Sequence, residues 1–322
     1  MGLALRRRLL FAAQLAFVAA ILWYATRSIA SQWVSVRATV SGMDIGWGYL
    51  LVSSLLVLLA YAILIGTWRL MLRAWQEHLN PMDAAHIWFV SNLGKYVPGK
   101  VWQIAAMAAM AQQRGVSPIA ATGSSVVVNL TNIVSGFILV LVTGASVLSL
   151  STRSGPWLAV AITLILLAAL LALPILLPYL ASLIRRVSGR ELSIPDIPAR
   201  AVWLSALGTA LAWILYGIAF QLLAASLGLS DASATRGYIA VYTSSYLVGY
   251  LTLIAPGGIG VRETMLVAGL STLGLASEPN AWVLAVVSRL WLTVLEIVPG
   301  LLFLSRKTIR GRPDNTSHNA SF

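Results

Sequence analysis

Apolar runs near the thickness of a bilayer recur along the chain, at roughly 9–26, 46–67, 119–149, 156–180, 201–228 and 280–304. A helix rises about 1.5 Å per residue, so about 20 apolar residues cross a hydrocarbon core of about 30 Å. Each run predicts a membrane-spanning helix. Trp23, Trp47, Trp68, Trp157, Trp203 and Trp282 stand near the ends of these runs, as an interfacial belt requires. Two further apolar stretches carry interruptions. Residues 84–112 are broken by Gly94-Lys95-Tyr96-Val97-Pro98-Gly99-Lys100, and residues 237–275 by Ala255-Pro256-Gly257-Gly258-Ile259-Gly260. Proline and clustered glycine stop helices, so Pro98, Gly99, Pro256, Gly257, Gly258 and Gly260 mark two hairpin breaks. The first hairpin has arms of about 11 and 12 residues, too short to span, and is expected to be re-entrant. The second has arms of about 18 residues and is left as either re-entrant or two near-complete spans.

Basic residues orient these elements. Arg6, Arg7 and Arg8 put the N-terminus in the cytoplasm, ahead of a first run read as an uncleaved span rather than a signal peptide. Arg69 and Arg73, Arg114, the loop with Arg185, Arg186, Arg190 and Arg200, and the tail with Arg306, Lys307, Arg310 and Arg312 then all fall on the cytoplasmic side. Asp231 and Glu278 fall outside; Arg27, Arg37 and Arg236 are weak exceptions. Six spans plus two hairpins satisfy the positive-inside rule, with both termini cytoplasmic.

The order span, hairpin, span occurs twice, over about 46–150 and 201–305, and the two breaks lie almost half the chain apart. The first unit starts outside and the second inside, which predicts an inverted repeat. Paired, Gly/Pro-interrupted segments in two halves point to a transporter binding site. The fold class is therefore all-α and polytopic. Residues 1–308 form one transmembrane domain and 309–322 a polar cytoplasmic tail.

Composition sharpens this picture. The chain of 322 residues is 59% hydrophobic and 10% charged, against about 25% charged in soluble domains. An ordinary soluble enzyme and a disordered protein are excluded. There is no cysteine, so disulfides, iron–sulfur clusters and thiolate zinc sites are out. Three histidines, His78, His86 and His318, leave little for a metal. No cofactor or metal is expected. The net charge of +12 fits basic loops facing anionic lipid in the plasma (inner) membrane better than nucleic-acid binding.

Ionisable residues at membrane depth are costly and mark functional sites. Lys95 and Lys100 flank the first break, Arg262 and Glu263 follow the second, and Arg289 and Glu296 lie in the last run. Four cations face two anions, and a lipid phosphate would supply the missing counter-charge. A half-helix N-terminus after Pro98 or Gly260 would also hold an anion. Snorkelling of the lysines to the surface, a local Arg262–Glu263 pair shaping the turn, and an internal salt bridge by which the stripe Arg289, Thr293 and Glu296 staples helices together are the plainer alternatives. Thr122, Ser125, Asn129 and Asn132 form a polar stripe suited to interhelical bonds or a wet cavity. Tyr238, Tyr242, Tyr246 and Tyr250 recur every four residues, suited to packing or to an amphipathic groove. HExxH, Walker and GxSxG motifs are lacking, and His86 suits interfacial packing better than general-base work; no enzyme is expected.

The segments Gly94-Lys95-Tyr96-Val97-Pro98-Gly99-Lys100-Val101-Trp102 and Ala255-Pro256-Gly257-Gly258-Ile259-Gly260-Val261-Arg262-Glu263 resemble motifs of the transmembrane, flippase-like region of lysylphosphatidylglycerol synthases. The second is the more specific, and the resemblance covers about residues 9–305. It implies movement between leaflets of an anionic or aminoacylated phospholipid, or of a polyprenyl-phosphate-linked lipid. The head group would meet Lys95, Tyr96, Lys100, Arg262, Glu263, Arg289 and Glu296. Full-length synthases also carry a cytoplasmic lysyltransferase domain. The chain ends at Phe322 after a short tail, so aminoacyl transfer is not expected of it. The expected partners are the membrane and a phospholipid or lipid-linked substrate, not nucleic acid. A homodimer, a scaffold for a separately encoded transferase and an intramembrane enzyme acting on lipid-linked substrates stay open.

Overall fold

The computed structural model describes residues 44–92, 101–144, 160–169, 198–230, 232–252 and 258–310, with scattered positions at 172, 175, 176, 179 and 182. The expected first span, Lys95, Tyr96, Pro98, Gly99, Lys100, Pro256, Gly257, most of the expected fourth span and the tail beyond 310 lie outside the described residues.

What is described is helical. In chain order the helices are α1 (Trp47–Ala74), α2 (Pro81–Asn92), α3 (Val101–Gln112), α4 (Pro118–Gly144), α5 (Val160–Ala169), α6 (Ala199–Ser226), α7 (Thr235–Leu251), α8 (Val261–Thr272) and α9 (Glu278–Arg310), with a 3₁₀ turn at Ala232–Ala234 before α7. Among them α1, α4, α6 and the Glu278–Phe303 part of α9 are long and apolar enough to cross a membrane. The protein is a polytopic membrane protein.

Local chemistry sets the helix ends. Asn80 accepts the Asp83 amide at 2.8 Å ahead of Pro81, and Ser117 accepts the Ala120 amide at 3.4 Å ahead of Pro118. Both are side-chain N-caps with proline in the first turn. Helices α1, α3, α6 and α8 end alike. A residue at positive φ, Gln76, Gly115, Gly228 or Gly274, turns the chain so that the next amide bonds back to a carbonyl in the last helical turn, the left-handed C-terminal motif. Helix α1 runs seven residues past the expected end at 67. Trp68, Met71 and Leu72 are fully buried, and their burial carries the helix on to Ala74. Arg69 and Arg73 therefore sit on the last turns of α1 rather than in a loop. Trp68, expected in the interfacial belt, packs inside.

Helices α1 and α6 form an antiparallel pair. The Gly46 amide donates to Ser226 O at 2.8 Å, Ser53 Oγ donates to Ala219 O at 2.5 Å, and Gly208 packs on the Thr67 hydroxyl. Helix α4 runs parallel to α6 along a hydroxyl seam, Thr131 to Ser205 at 2.8 Å and Ser135 to Thr209 at 3.0 Å. Small residues let such helices approach closely, and their hydroxyls bond where lipid offers no alternative.

The short helices form two hairpins. At the foot of the first, Glu77 Oε1 accepts the Ser117 amide at 3.0 Å and Asp83 pairs with Arg114. The α2–α3 hairpin thus begins and ends where α1 ends. At the foot of the second, Gly237 packs on Leu273 and Leu275, so α7–α8 begins and ends where α6 ends. Because α1 and α6 are antiparallel, the two hairpins enter from opposite ends of the bundle. Helix α4 packs on α7, and α9 packs on α2, so each half holds the other's hairpin.

The second hairpin is shorter than expected. Helix α7 has 17 residues and α8 has 12, about 26 and 18 Å long. Gly258 and Gly260, at φ 67° and 84°, keep the chain non-helical up to Val261, and Gly274 ends α8 before the expected limit.

The closest approach of a glycine to a neighbouring helix's backbone lies between α6 and α7, where a Cβ on Gly217 would come 2.6 Å from the Ile239 Cα. Gly217→Ala is expected to destabilise the protein by about 1–3 kcal/mol, read as a lower thermal midpoint in detergent. Gly66→Ala, with open space around it, should leave the midpoint unchanged or raise it. Equal loss in both variants would contradict this packing.

Candidate functional site

Between the long helices, at the middle of their lengths, lies a cavity of about 150 Å³. Helix α1 contributes Tyr61 and Trp68, α4 contributes Ser125, Asn129 and Asn132, and α6 contributes Trp213 and Tyr216. From the second hairpin come Tyr242, Tyr246, Tyr250 and Arg262, and from α9 come Arg289, Thr293 and Glu296. Asn92 and Gln103, at the facing ends of α2 and α3, complete the wall and bond to each other at 2.5 Å.

Arg262 is 6% exposed. Its guanidinium lies 5.3 Å from the ring centre of Tyr242 and 5.2 Å from that of Tyr246. Cation–π contacts of this kind strengthen away from water. Nη2 of Arg262 is buried with no hydrogen-bond partner among the described residues. Close approach of α7 and α8 holds the side chain there. A Cβ on Gly249 would come 2.9 Å from the Arg262 Cβ, and one on Gly258 would come 2.8 Å from Gly249 O. Gly258 stands at positive φ as well, so glycine fits there for two reasons.

Glu263 points elsewhere. Its Oε2 accepts the Gly260 amide at 2.7 Å and its Oε1 accepts Arg289 Nη1 at 3.3 Å. The α8 N-terminus, expected to offer an anion site after Gly260, is thus occupied by the chain's own carboxylate, the reaching-back half of a capping box. Arg262 and Glu263 do not pair with each other, because adjacent helical residues point about 100° apart. Glu296, also 6% exposed, accepts the Tyr61 hydroxyl at 2.8 Å. The salt bridge expected to staple the Arg289 stripe to a neighbouring helix joins α9 to α8 through Arg289 and Glu263, and Glu296 ties α9 to α1 through Tyr61.

The other stripes divide. Ser125, Asn129 and Asn132 face the cavity, but Thr122 is exposed. Asn129 accepts the Tyr250 hydroxyl at 3.0 Å, and Asn132 O accepts the Trp213 indole at 2.9 Å. Tyr242, Tyr246 and Tyr250 line the cavity, whereas Tyr238 packs on Phe220 and donates to Leu229 O at 3.2 Å. His86 stacks on Phe303 and approaches Arg114 at 3.3 Å, away from the cavity. Among the described residues no group of His, Cys, Asp and Glu is arranged to hold a metal. Sequence reasoning missed Tyr61, Trp213, Tyr216, Asn92 and Gln103. Of these, the mid-span placement of Tyr61, Trp213 and Tyr216, away from any interface, was the available signal.

The Glu263–Arg289 pair, with both side chains 16% exposed, clamps α8 to α9. A double-mutant cycle of Glu263→Gln and Arg289→Gln, followed by thermal unfolding in detergent, should give a coupling of about 0.5–3 kcal/mol. Additive effects would show that the clamp adds nothing.

No curated protein matches the chain. Over residues 11–300 it matches the family described as "Lysylphosphatidylglycerol synthase TM region", and no synthase domain lies within these 322 residues. The chain belongs to that family, the membrane region associated with lipid modification and translocation.

Proposed function

We propose that the protein moves a phosphate-bearing lipid between leaflets by passing its head group through the central cavity while the acyl tails remain in the bilayer. The observation that carries this reading is Arg262. A guanidinium buried at mid-span, backed by two tyrosine rings and left with an unmet donor, is a receptor for an anion. Arg289 and the tyrosine hydroxyls extend the polar surface, and the carboxylates of Glu263 and Glu296 set the orientation of the cations and limit how much negative charge enters. Lys95, Tyr96 and Lys100 remain candidate head-group ligands from the sequence between α2 and α3. The chemistry is binding and movement, with no bond made or broken.

The antiparallel α1–α6 pair, the hairpins entering from opposite ends and the matched left-handed ends of α1 with α6 and of α3 with α8 support two inverted units. Opening them in alternation would expose the cavity to each leaflet in turn. Both hairpins are read as re-entrant, since none of their arms reaches about 30 Å. The distribution of Arg and Lys along the sequence favours a chain in the inner membrane with both termini on the cytoplasmic side.

Leaflet-resolved translocation of a labelled phospholipid in proteoliposomes tests this. A charge-assisted hydrogen bond to phosphate is worth about 1.5–3 kcal/mol, so Arg262→Ala should slow transport about tenfold or more. Lys100→Ala reports whether the first hairpin takes part. Unchanged rates in both variants would remove the site.

A further inference from the structure

We infer that the cavity selects lipids whose head group carries hydroxyls beside the phosphate, as in a polyol or sugar head group, and that the carboxamides of Asn92, Gln103, Asn129 and Asn132 read those hydroxyls. The inference rests on the head-group reading of the same cavity and names the substrate class.

The cavity has two walls of different chemistry. Helices α8 and α9 bring the charges, Arg262, Arg289 and Glu296. Among the described residues, α2, α3 and α4 bring no charge to it, and four carboxamides dominate their polar surface there. The Ser125 hydroxyl on this side is taken by Ala121 O at 2.7 Å, and the Trp88 indole nitrogen is shut inside the protein.

A carboxamide has two N–H donors and an oxygen with two lone pairs. The bonds between described residues use a minority of them. Gln103 Nε2 donates to Asn92 Oδ1 at 2.5 Å, which leaves Gln103 Oε1 to accept and Asn92 Nδ2 to donate. Asn129 donates to Ser125 O at 2.9 Å and accepts from Tyr250 at 3.0 Å, and keeps one donor and one lone pair. The Asn132 side chain makes no hydrogen bond among the described residues; its backbone oxygen takes the Trp213 indole at 2.9 Å. All four side chains are half-buried and open to the cavity. Polar groups in an apolar surrounding are costly unless met, so this wall calls for a partner.

The partner must both donate and accept. A phosphodiester anion offers only acceptors and an ammonium only donors, so each leaves half of the wall unmet. A hydroxyl does both, and hydroxyls on neighbouring carbons match the paired donor and acceptor of a carboxamide.

The wall also lies where a head group would extend. Asn129 and Asn132 share one face of α4. A Cβ on Gly249 of α7 would come 2.9 Å from the Arg262 Cβ, and the next residue, Tyr250, bonds to Asn129. Both walls bound one cavity of about 150 Å³. A head group with its phosphate at Arg262 therefore has the amides within reach of its next few atoms.

The experiment measures binding of short-chain phosphatidylinositol and short-chain phosphatidylmethanol to the purified full chain. Both are phosphodiesters of one negative charge; inositol adds a ring of hydroxyls and the methyl group adds none. Two hydrogen bonds to the amides should make phosphatidylinositol the tighter ligand by about tenfold or more. Asn132→Leu and Gln103→Leu keep the bulk of the side chain without its amide, and each should bring that preference below about threefold. Arg262→Ala should weaken both lipids and leave the preference standing. If one leucine variant does not fold, the other is read, and the preference of the parent chain is measured in any case. Equal binding of the two lipids by the parent, the result if the amides hold only water, overturns the inference. So does a preference that survives in the leucine variants, or short-chain phosphatidylethanolamine binding more tightly than phosphatidylinositol. Binding of neither phosphodiester, or Arg262→Ala binding both as the parent does, overturns the head-group reading itself.

Discussion

The arrangement of this bundle depends on keeping a cation in a place with little water. Arg262 is held there by the faces of Tyr242 and Tyr246, and those rings stay in position because Tyr242 leans on Phe220 and Tyr216, and Tyr246 on Trp213. The aromatic content of α6 and α7 is thus the support of one charge. The same demand shapes the backbone: α7 and α8 must touch for Arg262 to reach the rings, and Gly249 and Gly258 let them touch. Removing the charge would leave those aromatics and glycines with nothing to hold.

The second constraint is the antiparallel α1–α6 pair. It lies at the joint between the halves, and its direction decides that the hairpins approach from opposite ends. A parallel pair would have brought both hairpins in from the same end of the bundle. Hydroxyls buried along these contacts, Ser53, Thr131, Ser205 and Thr209, all find oxygen partners, as an apolar surrounding demands.

Much of this was legible in the sequence. The apolar runs gave the long helices, the Gly/Pro breaks gave the hairpins, and the spacing of Arg289, Thr293 and Glu296 placed three residues on one face that the cavity does bring together. Other features were hidden for physical reasons. Tyr61, Trp213 and Tyr216 sit in apolar runs where an aromatic ring suits lipid, core or cavity equally. Trp68 had the look of a belt residue because hydropathy ends α1 too early, while burial of Met71 and Leu72 extends it. Arg262 and Glu263, adjacent in sequence, suggested a pair, yet helical geometry sends them to different partners. The N-cap role of Glu263 could have been read from its place three residues after Gly260.

The choice of arginine over lysine at position 262 has a consequence of its own. A guanidinium keeps its proton at every biological acidity, and its flat face can rest against two rings at once, where an ammonium would sit as a compact point. The positive pole of the chamber is therefore permanent. Acidity in the biological range leaves that charge in place, whereas a buried lysine, which gives up its proton far more readily, would let the charge itself drift.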